Sequence, residues 1–114
     1  MPHVVLAGRA DLAGAWRGLP RQPWRWGQAV ARVEGCYLGH ESLLVAGVVV
    51  EYGRPLHPVV LVSCRGDETV VRLWPRAEVE RTLAVKRFVA RVAQELSAHG
   101  TGEVVSTNIP DLLR

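Results

Sequence analysis

The sequence predicts an α+β fold: a four- to five-stranded, mainly antiparallel meander sheet packed against one long C-terminal helix, plus a short N-terminal helix. Three observations carry this. From position 28 onward, apolar residues recur with the two-residue period of strands, interrupted by short turn-like segments. The links between these segments are too short for crossovers, so sequential neighbours should run antiparallel. Beyond Pro75 the period changes, and Val85, Phe88, Val89, Val92 and Leu96 form one helical stripe.

Each element has a local reason. His3 to Ala7 is a short apolar strand ended by Gly8. Asp11 is placed to cap a helix in which Leu12, Ala15, Trp16 and Leu19 fall at i, i+3, i+4 and i+7, with Gly18 and Pro20 as the stop. Residues 20–27 read as a connection, or else as an extended edge strand, because two prolines push the residues before them toward extended geometry. Residues 28–37 are strand-like, with Ala29, Ala31, Val33 and Tyr37 on one side and Arg32 and Glu34 on the other. A turn at 38–42 leads to a strand at 43–52, and a turn at 53–56 to a strand at 57–65. Arg65-Gly66-Asp67-Glu68 is a tight hairpin, with Gly66 free to take positive φ, and 69–74 returns. The long helix spans 76–99, where Glu78 and Glu80 suit the N-terminal end of its dipole and Gly100 a left-handed cap. Residues 103–107 form a last short strand. With no internal repeat or low-complexity linker, residues 1–114 are assigned to a single domain.

The strand at 43–51 is apolar on both sides. Leu43, Val45, Gly47 and Val49 share one parity, and Leu44, Ala46, Val48 and Val50 the other. Residues 59–62 repeat the pattern. An antiparallel strand with one wet face should alternate instead. Burial of such side chains is worth on the order of 1.5–3 kcal/mol each, so both faces should be covered. The 76–99 helix supplies one cover. The other must be the 9–19 helix, the C-terminal tail or a second copy of the chain, and a homodimer is the expectation, helped by Leu83 pointing off the main helix stripe.

Composition narrows the function. With 48% hydrophobic and 22% charged residues in 114, the chain is neither disordered nor a disulfide scaffold. The net charge of +3 is unevenly spread: residues 9–32 carry five arginines against Asp11 alone, whereas the remainder has nine bases against ten acids. That local excess suits an anionic partner, or merely a solvated arginine surface. Thirteen arginines to one lysine, with a single Ile, Asn and Phe, is the bias of GC-rich coding and points to a bacterial source. There is no signal-peptide core, and the longest apolar run, Leu43 to Val50, falls far short of the roughly 20 residues a spanning helix needs. The expected setting is the cytoplasm, without membrane contact, and Cys36 and Cys64 are read as buried free thiols.

No catalytic motif emerges; whether the chain is an enzyme stays open, with the balance toward a non-enzymatic role, and no cofactor or metal is expected. His40-Glu41 opens like a zinc-protease motif, but Leu44 stands where the second histidine belongs. Two sets of candidate residues remain. Segment 16–26 holds three of the four tryptophans; Arg17, Arg21, Trp24, Arg25 and Trp26 form a candidate surface for nucleic acid or another anionic partner, since indoles stack on bases and guanidiniums pair with phosphates. The competing account has these tryptophans pinning a proline-rich loop to the sheet. His57, Cys64, Arg72 and Trp74 are candidates for lining a small-molecule pocket, catalytic or not, between sheet and long helix. The favoured expectation is a self-associating binding or assembly module. The alternatives are that pocket and a structural subunit of a larger complex.

Overall fold

The computed structural model describes residues 1–113. In chain order the elements are β1 (His3–Ala7), α1 (Leu12–Gly18), β2 (Trp24–Trp26), β3 (Ala29–Gly39), β4 (Ser42–Glu51), β5 (Arg54–Leu56), β6 (Val59–Arg65), β7 (Glu68–Leu73), α2 (Leu83–Glu95) and β8 (Val104–Thr107). Short 3-10 turns follow α2, at Leu96–His99, and β8, at Pro110–Leu112. The strands form one eight-stranded sheet in the order β2-β3-β4-β6-β7-β1-β8, with β5 paired to the end of β4. Every pairing is antiparallel, and the sheet curls into a half-barrel.

This overturns the expected four- to five-stranded meander. The sheet is wider because short segments close both sides of the central hairpins. Residues 24–26, the 20–27 stretch that also read as an edge strand, pair with β3. Residues 54–56, expected as a turn, return along β4 through Tyr52-Gly53, where both residues take positive φ as a two-residue hairpin turn requires. At the other side β1 lies between β7 and β8.

The long helix also starts later than expected, at Leu83 instead of 76. Thr82 is extended, and its hydroxyl accepts from Val85 N at 3.2 Å, which caps the first turn. Upstream, Val79 tucks against the core and Arg54 pairs with Glu80, so 75–82 is an irregular strap. With its 3-10 extension the helix runs 17 residues to His99, and Gly100 closes it at φ 97°. The Asp11 cap of α1 forms as expected, accepting from Gly14 N at 3.0 Å.

A bulge in β3 resets which residues face the core. Val33 pairs with Gly47 and Gly35 with Ala46, leaving Glu34 as an extra residue. Tyr37 therefore leaves the side of Ala29, Ala31 and Val33 and stands opposite Leu44, 63% exposed.

One core fills the concave side. Leu43, Val45, Val49, Val60, Val62 and Val71 from the sheet meet Val85, Phe88, Val89 and Val92 from α2. Ala15 and Leu19 from the α1 region and Ile109 from the tail join the same cluster. Both helices and the tail thus cover a single face. The opposite face presents Leu44, Ala46, Val48 and Val50 of β4, Val59 and Leu61 of β6 and Val70 of β7, all half-exposed and none part of that core. Among the described residues no helix is long and apolar enough to cross a membrane.

Candidate functional site

The space between sheet and helix is filled by side chains. Phe88 is fully buried there, and its ring occupies the room left by the missing side chain of Gly47. The four residues considered as pocket lining do not meet. Arg72 is exposed on the outer face, in register with Leu61 and His3. His57 lies 3.6 Å from Glu34. The Cys64 thiol points to the carbonyl of Ala10, 3.7 Å away, and to the Thr69 hydroxyl at 4.0 Å. Trp74 lines an open depression of about 530 Å³, walled largely by the 75–81 strap. Cys36 and Cys64 are free thiols on β3 and β6, with β4 between them. Burial raises the Cys36 thiol above its ordinary range, and nearby Arg21 lowers it in part. The raised Cys36 thiol lacks the surroundings that activate a cysteine nucleophile.

The Trp/Arg segment divides between structure and surface. Trp16 runs beside the open part of β3, and its indole Nε1 donates to the Cys36 carbonyl at 3.0 Å. Arg21 does the same for the Glu34 carbonyl at 3.1 Å. Strand β2 pairs only with residues 29–31, so these side chains satisfy carbonyls that a longer neighbour would have bonded. Trp24 is 7% exposed and belongs to the core. Its ring sits 5.9 Å from Phe88 and 6.2 Å from Trp26, with the Arg91 guanidinium over it at 5.0 Å. Trp26 is half-exposed. Arg17 is exposed at the end of α1.

Arg25 points to the opposite side of β2 from the two indoles. Its register partner is Val30, which makes Arg32 a diagonal neighbour on the same face. Arg21 and Arg32 share a shallow depression of about 280 Å³ with Glu34. The structure therefore groups Arg21 and Arg25 with Arg32, which belonged to the basic stretch but was not singled out. On the helix side, Trp26 and Arg87 border two adjoining depressions of about 260 and 90 Å³. Among the described residues Arg87 is half-buried and has no ion-pair or hydrogen-bond partner. Nothing in the periodicity marks Arg87, because it lies off the apolar helix stripe like any solvated residue. Among the described residues no group of three or more His, Cys, Asp or Glu comes together as a metal site. No family model matches the chain, and neither does any curated protein or solved structure.

Proposed function

We propose that this protein is a non-catalytic binding module that pairs with a second copy of itself through the outer face of the sheet. One observation carries the reading. Of the three covers available to that apolar face, α1 and the C-terminal tail are spent on the concave core, which leaves another copy.

The face is also self-complementary. Cross-strand register aligns Tyr37, Leu44, Leu61 and Arg72 in one row across β3, β4, β6 and β7. A two-fold axis parallel to the strands, between β4 and β6, maps this row onto itself reversed. Leucines then meet at the centre, and the Tyr37 ring of each copy meets the Arg72 guanidinium of the other, a favourable cation–π arrangement. The curl of the sheet widens the gap toward the flanks, where these two longer side chains stand.

Sedimentation equilibrium over a concentration series tests the reading. The expected result is a reversible dimer that Leu61→Arg converts to a monomer of unchanged circular dichroism. A wild-type chain that stays monomeric to about 100 μM, where contacts of about 5 kcal/mol or more would already register, overturns it.

A further inference from the structure

We propose that the β2 edge binds single-stranded nucleic acid, with Arg21, Arg25 and Arg32 on successive phosphates and Trp26, flanked by Arg87, stacked under a base. The inference stands apart from self-association, since a single copy carries all five residues.

Three features converge on this ligand. First, Arg25 and Arg32 are like charges held as diagonal neighbours, with Arg21 beside Arg32. That arrangement concentrates positive charge on one exposed edge, and a guanidinium suits a phosphate bidentately. The acid among them, Glu34, faces His57. Second, on the other side of the same three-residue strand, Trp26 packs on the core but keeps part of its indole exposed, in a depression shared with Asp111, Arg91 and Arg87, the last without a partner among the described residues. An indole beside a cation is a platform for an unpaired base, whereas an acidic peptide would engage the guanidiniums and leave the indole unused. Third, the depressions are small and spread along the edge, at about 280, 260 and 90 Å³. They fit an extended chain crossing an edge better than an enclosed small molecule. A duplex is disfavoured because its bases are not free to stack and, among the described residues, no helix or long hairpin projects from this edge to enter a groove.

The test is fluorescence anisotropy of a labelled mixed-sequence DNA of about twelve nucleotides at low salt, with a salt titration. Binding should come with quenching of tryptophan emission, and three phosphate contacts give a log–log salt slope of about −2. Replacing two of the three arginines (Arg25→Gln with Arg32→Gln) should reduce the magnitude of that slope by more than half. Trp26→Leu should weaken binding about tenfold with little change in slope. Circular dichroism verifies the fold of each variant, and the surface arginine pair decides the matter should Trp26→Leu fail to fold. Absence of binding at low salt overturns the proposal. So does undiminished binding by the arginine pair variant, or equal competition by poly-glutamate or by anionic phospholipid vesicles.

Discussion

The ring of Phe88 rests on the backbone of Gly47, so closely that a Cβ at position 47 would overlap three of its carbons. This contact joins the middle of α2 to the middle of β4 at the centre of the core. Gly47→Ala is expected to destabilise the fold by about 1–3 kcal/mol, the usual range for overpacking. Phe88→Leu withdraws the ring, so the double variant should recover part of that loss. Urea denaturation of the four proteins measures the coupling. An interaction of at least about 0.5 kcal/mol is expected, and strict additivity would show that the two residues do not share the space.

The exposed side of β3 depends on side chains for what strand pairing does elsewhere. Trp16 and Arg21 satisfy the carbonyls of Cys36 and Glu34. Trp16→Phe keeps an aromatic ring and removes the donor. The expected cost is about 0.5–1.5 kcal/mol in chemical denaturation. Combined with Arg21→Met, it should also increase light scattering on storage, because an uncapped edge templates further pairing. A double variant as stable and as monodisperse as the parent would leave these bonds without a structural role.

The legible parts of this fold were those with long periodic runs. The two-faced pattern of Leu43 to Val50 announces a central strand, and the Val85 to Leu96 stripe announces the helix. Strands β2 and β5 have three residues each and β8 has four, too few for a period of two to stand out. Tyr37 changes side because Glu34 is bulged out, and a bulge depends on which strand the chain meets. Trp24 and Trp26 share a parity, yet one is sealed by Phe88 and Arg91 while the other stays half-exposed, a difference set by α2. Charge counting located the basic stretch but not the grouping of Arg25 with Arg32, which needs the β2–β3 register.

Thr69 is the one fully buried polar residue among those described, and it ties the β1–α1 connection to the sheet. Its hydroxyl donates to the Gly8 carbonyl at 2.8 Å and accepts from Ala10 N at 2.9 Å. Thr69→Val keeps the shape and strands both backbone groups. The expected loss is about 1–3 kcal/mol, with Thr69→Ser losing less. Hydrogen exchange should show the Ala10 amide among the positions most exposed by the valine variant. Equal stability of the valine and serine variants would mean that the methyl, not the hydroxyl, matters.

Cys36 gives the fold an alkaline sensitivity whose sign follows from its surroundings. Burial raises its thiol above the ordinary value of 9.0, and the Arg21 charge offsets part of the rise. The folded chain therefore holds this proton more tightly than the unfolded chain. Its contribution to stability is complete below the unfolded value and is lost as pH climbs through the folded one. Above about pH 9 the wild type should lose stability relative to Cys36→Ala, whereas near neutrality the difference should be flat with pH. Alkylation by iodoacetamide, followed by mass spectrometry, reads the same proton directly. Cys36 should react more slowly at pH 8 than a thiol in the unfolded chain. Arg21→Gln should move the onset of reaction to still higher pH, because the charge that favours the thiolate is gone. Reaction at pH 8 as fast as in the unfolded chain would refute the assignment of Cys36 as a half-buried, protonated thiol.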